Sequence, residues 1–182
     1  MSIVLHGVAA GKGIAIGHAH LITRGTTEVP QYDIDPDKLD AEVARFDNAI
    51  KATRKELEQL RGAIPENAPT ELGAFISLHL MLLTDVTLSR EPIDILREQK
   101  INAEWALKQQ SDKLAAQFDS IDDDYLRERK QDMLQVVRRI HNNLVGQSNE
   151  INLAGNLFDD TVLIAHDLSP ADTVLFKEQH IT

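Results

Sequence analysis

The stretch Leu39-Asp40-Ala41-Glu42-Val43-Ala44-Arg45-Phe46 begins a long segment with a helical period. Apolar side chains recur through this segment at spacings of four and three residues, with one spacing of seven: Leu39, Val43, Phe46, Ile50, Leu57 and Leu60. That period places them along one side of an α-helix. Asp35 is expected to cap this helix, with Pro36 at its first position. The narrow apolar seam predicts that a second helix packs against it in the antiparallel direction, after a reversal at residues 62–69.

Two further helices are predicted between residues 70 and 118. One starts at Thr70 and carries four apolar residues: Phe75, Leu78, Leu82 and Leu83. The other is expected to be capped by Asn102, and it carries Leu107, Leu114 and Phe118. A shorter helix lies between them, and Ser89 is its expected cap because Pro92 is tolerated only in a first turn. The neighbours Leu82 and Leu83 cannot point to one side of a helix, so one of them is predicted in the core and the other at the surface.

A fourth helix follows the acidic run at residues 122–124. The acids lie where the helix dipole favours negative charge, and Gly146 is placed to be the residue just after the C-cap. The predicted buried stripe consists of Leu126, Met133, Val137, Ile140 and Leu144. Capping and solvation alone also explain the acidic run, so a partner-facing role remains one of two interpretations. Together the four helices predict a bundle.

The two ends of the chain have a different period. Residues 3–8 and 14–22 predict two strands joined as a hairpin, and residues 161–165 predict a buried strand. Ser169 can cap a short helix that begins at Pro170. The fold class is therefore mostly α with an α/β part, in which a four-helix bundle is inserted into an incomplete α/β domain. The strands offer too little apolar surface for independence, so a fragment of a longer protein is expected.

Small motifs in the first strands carry little chemistry. Lys12 is followed by Gly13 rather than by Ser or Thr, so the glycines around it favour a turn over a phosphate-binding loop. His18 and His20 share one face of the second strand, which is a geometry that could hold a metal. No third ligand is apparent in the sequence, so polar face residues are the preferred interpretation.

Composition narrows the possible partners. The chain has 182 residues, 29 acidic against 19 basic side chains and a net charge of −10. This balance argues against nucleic-acid binding and favours a basic protein partner. There is no cysteine, which suits a reducing compartment. Neither a signal sequence nor an apolar stretch of membrane-spanning length is apparent, so the protein is expected to be cytoplasmic and not associated with a membrane.

Five stretches carry a resemblance to a known family. In chain order they are Gly7-Val8-Ala9 through Gly17, the 39–46 stretch quoted above, His79-Leu80-Met81-Leu82-Leu83-Thr84-Asp85, Asp122-Asp123-Asp124-Tyr125-Leu126-Arg127-Glu128-Arg129, and Val162-Leu163-Ile164-Ala165-His166-Asp167-Leu168-Ser169-Pro170. The chain thereby resembles the N-terminal region of enzyme I of the bacterial phosphoenolpyruvate-dependent sugar phosphotransferase system. Members of this family are phosphoenolpyruvate-protein phosphotransferases.

The resemblance implies an α/β phosphohistidine, or swivelling, domain interrupted by a helical domain. Residues 1–34 and 147–182 would form the first, and residues 35–146 would form a domain that binds the histidine phosphocarrier protein HPr. The family takes phosphate from phosphoenolpyruvate onto a histidine and passes it to HPr during sugar uptake. A C-terminal barrel binds phosphoenolpyruvate with magnesium and forms the homodimer. This chain alone is accordingly expected to be monomeric and to need no cofactor.

The resemblance also implies which residues act. The family's active histidine lies in a Gly-Gly-Arg-Thr-Ser-His stretch, which none of the seven histidines here matches. The nucleophile is expected shortly after Thr182, so no catalytic residue is assigned and this chain alone is predicted inactive. The positions that match the family's carrier-binding helices are His79, Met81, Leu82, Asp85, Leu88, Tyr125, Leu126 and Arg129.

Some positions depart from the family or have an ordinary explanation. Thr84, Val86 and Thr87 stand where the family often has acids, which predicts weaker electrostatic steering, and Pro92 puts the continuity of the helix carrying Leu88 in doubt. Thr173 matches a threonine whose hydroxyl bonds the resting active histidine, although a helix residue bonding its own backbone is the alternative. His79 and Tyr125 could instead be partly buried helix residues.

Two alternatives belong to other classes. A non-catalytic helical adaptor or protein-interaction module would explain the seam and the acidic surface equally well. It would not explain why strands precede and follow the helices, unless they form one interrupted domain. A second alternative is another phosphoenolpyruvate-using enzyme, such as a dikinase, but those relatives lack this helical insert.

Overall fold

The computed structural model describes residues 16–22, 29–65, 68–147 and 161–165, with only the backbone described at 21–22 and 124–128. Two strands lie near the ends of this part of the chain, β1 (His18–Ile22) and β2 (Thr161–Ala165). Between them are a 3-10 helix (Pro36–Lys38) and six α-helices. These are α1 (Leu39–Gly62), α2 (Thr70–Leu82), α3 (Val86–Ser89), α4 (Glu91–Gln99), α5 (Ala103–Asp119) and α6 (Asp124–Leu144).

The chain divides into two compact units, one with both strands and one with all six helices. β1 and β2 pair in parallel, with His18 opposite Thr161 and Ile22 opposite Ala165. Parallel pairing requires a long crossover between the strands, and the helices are part of the chain that makes it. The mostly helical fold with a small α/β part is thus confirmed. Most of the predicted hairpin, residues 3–8 and 14–15, lies outside the described residues.

α1 follows the predicted apolar period. Phe46, Ile50, Leu57 and Leu60 are buried, while Leu39 and Val43 are partly buried against the same core. The seam skips position 53, where the buried Thr53 takes the apolar residue's place. Its hydroxyl donates to the carbonyl oxygen of Ala49 at 2.9 Å and accepts from the amide of Asn143 on α6 at 3.1 Å. A polar group is tolerated there because both of its bonds are made inside the protein.

The start of α2 at Thr70 is confirmed, and Leu83 is the buried member of the leucine pair while Leu82 is half-buried. The predicted Ser89 cap is wrong. Ser89 is the last residue of α3, and its hydroxyl donates to the carbonyl oxygen of Asp85. Asp85 is the cap of α3, and α4 begins separately at Glu91 with Pro92 in its first turn. Oδ1 of Asp85 accepts from the free amide of Thr87 at the start of α3, whereas the hydroxyl of Ser89 is bonded to the Asp85 carbonyl oxygen and α4 begins without a side-chain cap.

α5 begins after Asn102 as predicted, but the Asn102 side chain does not cap it. The free amide of Ala103 donates instead to Oε1 of Glu42 on α1, at 2.8 Å. A glutamate 61 residues away therefore serves as the cap. A helix with an acid at its N-terminus is stabilised whichever segment supplies the acid.

α6 ends as the sequence predicts. Gly146 has a φ of +68°, and the amide of Gln147 donates to the carbonyl oxygen of Asn142 at 2.8 Å. This is a Schellman arrangement, in which a left-handed residue lets the chain satisfy a free helix carbonyl. The buried apolar residues in the described part of α6 are Met133, Val136, Ile140 and Leu144. Val137, predicted in this stripe, is only half-buried, because Val136 takes the inner position.

Candidate partner-binding site

The junction between α2 and α3 presents two apolar side chains to solvent. Met81, in the last turn of α2, and Val86, at the start of α3, are each 61% exposed. Leu82 is half-buried between the core and the surface. Exposed large apolar residues on both sides of one short turn are the kind of feature that marks a protein contact. We call Met81, Leu82, Asp85 and Val86 the junction surface.

Local hydrogen bonds fix the shape of this junction. The amide and the hydroxyl of Thr84 both donate to the carbonyl oxygen of Met81, at 2.9 Å and 2.7 Å. The carbonyl groups at the end of α2 are thereby satisfied within the turn. The chain is then free to begin α3 at once, so Met81 and Val86 are held by ordered backbone rather than by a loose loop.

Asp85 lies in the middle of the junction surface and is exposed. Its Oδ1 accepts from the hydroxyl of Thr87 at 2.7 Å and from the amide of Thr87 at 2.8 Å. These two bonds lower the pKa of Asp85 below its ordinary value. The carboxylate is therefore ionised at neutral pH, and it provides a fixed negative charge beside Met81 and Val86.

His79 and Leu88 were predicted to contact the partner, and the structure places both in the core. His79 has no exposed surface and Leu88 has 1%. Burial, followed by the nearby positive charge of Arg139, lowers the pKa of His79 from 6.5 to about 4, so the imidazole is neutral at pH 7. Neither of its ring nitrogens has a hydrogen-bond partner among the described residues. Because both side chains are buried, neither can contact a partner directly in this structure.

The second group of predicted residues is at the start of α6. Arg129 is half-buried, and its Nη1 donates to Oδ2 of Asp132 at 3.0 Å. Tyr125 and Leu126 lie in the first turn of α6, but their side chains are outside the described residues, as is all of Thr173. α2 packs against α6, so both predicted groups belong to neighbouring helices of one unit.

The structure also adds to the predicted site and resolves one doubt. In the sequence, Val86 stands out only as a departure from the family. An apolar residue directly after an acidic cap is a signal that would have identified Val86 as part of the site. The doubt about Pro92 is upheld, because α3, which carries Leu88, ends at Ser89 and a separate helix, α4, begins at Glu91 with Pro92 in its first turn.

Metal and membrane criteria give simple results for the described part of the chain. Within these ranges no group of three or more His, Asp or Glu side chains is arranged to hold a metal ion. None of the described helices is by itself both long and apolar enough to cross a bilayer. Thr70–Leu82 and Val86–Gln99 meet that criterion only when joined, with a bend of 60° between them.

Comparisons with known proteins place the chain in a family. Residues 6–129 match the model of the N-terminal domain of PEP-utilising enzymes, so the chain belongs to this family. Over 184 residues it is 42% identical to the phosphoenolpyruvate-protein phosphotransferase of Cupriavidus necator, which covers 97% of this chain and 31% of that protein. The Bacillus subtilis protein of the same name is 32% identical over 181 residues, covering 97% of this chain and 30% of that one.

Solved structures agree with this placement. An NMR solution structure of Enzyme I matches with a TM-score of 0.74 and 33% identity, covering 92% of this chain and 67% of that chain. The N-terminal domain of a nitrogen-type Enzyme 1 matches with a TM-score of 0.64 and 25% identity, covering 89% of this chain and 65% of that chain. The chain therefore corresponds to the N-terminal domain of enzyme I, and it spans about a third of the length of the curated transferases that it matches.

Proposed function

We propose that this chain works as the N-terminal region of a phosphoenolpyruvate-protein phosphotransferase and that its helical unit binds the phosphocarrier HPr. In such an enzyme phosphate passes from phosphoenolpyruvate to a histidine and then to HPr. The family match and the two named transferases support this activity. The same proposal includes a cytoplasmic location, a need for magnesium, and a homodimer formed by other parts of the enzyme.

The observation that carries the docking role is the exposure of Met81 and Val86 on either side of the ionised Asp85. An apolar centre with a charged rim suits a partner that brings apolar side chains and a positive charge. The resemblance implies such a partner, since arginines flank the histidine of the carrier. The net charge of −10 adds a general attraction for a basic protein.

The start of α6 is proposed as the other half of the docking surface. Leu126 would add apolar contact there, with Tyr125 and Arg129 at its edge. His79 and Leu88 then have a supporting role, because both are buried in the core and anchor the helices on either side of the junction surface. Thr173 is proposed to orient the active histidine in the complete enzyme.

Titration of the isotope-labelled chain with HPr tests the docking role. Chemical-shift changes are expected at Met81, Thr84 and Val86, and Met81→Asp is expected to weaken binding at least about tenfold, because it places a charge in an apolar contact. Val145→Asp is the matched control, since Val145 is also exposed but follows the far end of α6. Unchanged affinity in Met81→Asp would remove the junction surface from the interface. An absence of shifts at millimolar HPr would favour an adaptor with another partner.

A second experiment tests the phosphoryl step. Incubation of this chain with phosphoenolpyruvate, magnesium and HPr is expected to yield no phosphorylated product, because no histidine here lies in the family's active stretch. Turnover by this chain would show that one of its seven histidines serves as the nucleophile.

A further inference from the structure

A second cluster of charged side chains lies away from the junction surface, around Arg45 of α1. The guanidinium of Arg45 donates to both carboxylate oxygens of Glu104 on α5, at 2.7 Å and 2.6 Å. It also donates to both oxygens of Glu42, at 3.0 Å and 2.6 Å. Bidentate pairing of this kind is strong and fixes the geometry of both partners. Arg45 therefore holds the start of α5 against α1.

The same guanidinium reaches the end of α6. Nη1 of Arg45 donates to the carbonyl oxygen of Leu144 at 2.9 Å. Leu144 is the last residue of α6, where helix carbonyl groups lack partners within the helix. One side chain thus joins three helices, and it holds the point at which the chain leaves α6.

Asn102 extends the cluster to the segment before α1. Its Nδ2 donates to the carbonyl oxygen of Pro30 and to Oε2 of Glu104, both at 3.0 Å, and its Oδ1 accepts from the amide of Tyr32 at 3.1 Å. Backbone bonds continue the pairing, from Asn102 to Tyr32 at 3.1 Å and from Ile34 to Lys100 at 2.7 Å. The segment leading into α1 is consequently tied, through Asn102 and Glu104, to Arg45.

Because the cluster is buried, breaking only some of its bonds costs free energy. Asn102 has no exposed surface and Glu104 has 6%. Burial alone would raise the pKa of Glu104, but the hydrogen bonds from Arg45 and Asn102 outweigh it, so the pKa is lowered and the carboxylate stays charged. A buried charge that loses one partner remains desolvated without compensation. Loss of a single bond is therefore expected to weaken its neighbours as well.

We propose that Glu42, Arg45, Asn102 and Glu104 form a conformational clasp that holds the segment before α1 and the end of α6 closed together. Release of either side weakens the other, although about 110 residues separate Ile34 from Leu144. The clasp thereby ties residues 30–34, which lead into α1, to the last residue of α6. It is a separate proposal from the HPr contact, since the junction surface shares no residue with it.

Native-state hydrogen exchange of the whole chain tests the coupling. In Arg45→Met, exchange is expected to accelerate about 10- to 100-fold at the amides of Val145 and Gln147 and also at those of Tyr32 and Ile34, which Arg45 does not bond directly. The amide of Leu57, in the middle of α1, is expected to stay protected. Lys113→Met is the matched control, since it removes another cation paired with a glutamate, Glu91, at 3.0 Å.

The outcomes separate a clasp from independent contacts. Acceleration confined to either pair of amides, Val145 and Gln147 or Tyr32 and Ile34, or no acceleration at all, would overturn the proposal. If Arg45→Met loses protection throughout the helices, Arg45→Lys is measured instead, because it keeps the charge and loses the bidentate geometry. The same criterion then applies, with joint acceleration at both groups of amides supporting the clasp.

Discussion

His79 lies one turn beyond Phe75 on α2, and the two ring centroids are 4.1 Å apart with the ring planes inclined at 51°. This contact packs a histidine into the apolar core as if it were another aromatic residue. The cost is a fully buried imidazole whose nitrogens find no hydrogen-bond partner among the described residues. Protonation would add an unpaired charge at this position, which makes stability depend on pH.

The first prediction concerns acid. The pKa of His79 is about 4 when folded and 6.5 ordinarily, so protons bind the unfolded chain more strongly between these values. The unfolding free energy therefore has its full value above pH 6.5 and declines as the pH falls toward 4. The difference corresponds to about 3 kcal/mol of unfolding free energy. Urea unfolding at several pH values measures it.

His79→Leu supplies the control for that prediction. A leucine of similar size removes both the unpaired nitrogens and the titration, so its stability is expected to change less between pH 6.5 and 4. An equal decline in both proteins would assign the acid sensitivity to other groups, including carboxylates such as Glu104.

The second prediction concerns two glycines with opposite roles. Gly146→Ala is expected to lower the unfolding free energy by about 1 kcal/mol, because Gly146 has a φ of +68° that a side chain disfavours. Gly73→Ala, in the interior of α2, is expected to raise it by about 0.5–1 kcal/mol. A new Cβ would meet nothing within 4 Å at either position. Opposite signs in urea unfolding would therefore report backbone conformation alone.

The third prediction concerns the Asp85 cap. Asp85→Ala is expected to cost about 0.5–2 kcal/mol, because the amide of Thr87 loses its acceptor. Asp85→Asn should retain most of that stability, since its side-chain oxygen still accepts the bond. If HPr binds as proposed, the asparagine variant should bind more weakly than the parent while remaining equally folded. Thermal unfolding and titration calorimetry separate the two effects.

The fourth prediction contrasts the core with the junction surface. Leu57 is fully buried, and Leu57→Ala is expected to cost about 2–5 kcal/mol through lost burial and the cavity left behind. Met81→Ala is expected to stay within about 0.5 kcal/mol of the parent, because most of Met81 is already in solvent. A large loss of stability in Met81→Ala would show that this side chain serves packing rather than binding.

Much of the helical unit follows from periodicity. The seam of α1, the start of α2 at Thr70 and the end of α6 before Gly146 agree with the sequence, because each depends on neighbours within one or two turns. The division between Leu82 and Leu83 was predictable for the same reason, since adjacent helix positions point 100° apart. The choice of Asp85 over Ser89 as a cap was not, because both residues are acceptable caps by type.

The candidate site was only partly predictable. Met81, Leu82 and Asp85 lie at the surface or its edge, whereas His79 and Leu88, from the same stretch, turn into the core. A histidine suits either environment, and a leucine near a helix end gives no sign of which side its helix presents. The contributions of Tyr125, Leu126 and Thr173 stay predictions.

The sequence by itself determined the helical periods, some boundaries such as the start of α2 and the end of α6, and the presence of strands before and after the helices, because those features rest on contacts within a few residues. Only the tertiary structure decided that His79 is buried and that Arg45 meets Glu104, 59 residues away. Such outcomes depend on which helix faces pack together. The free energy of that packing is distributed over the whole core, so no single stretch of the sequence determines it.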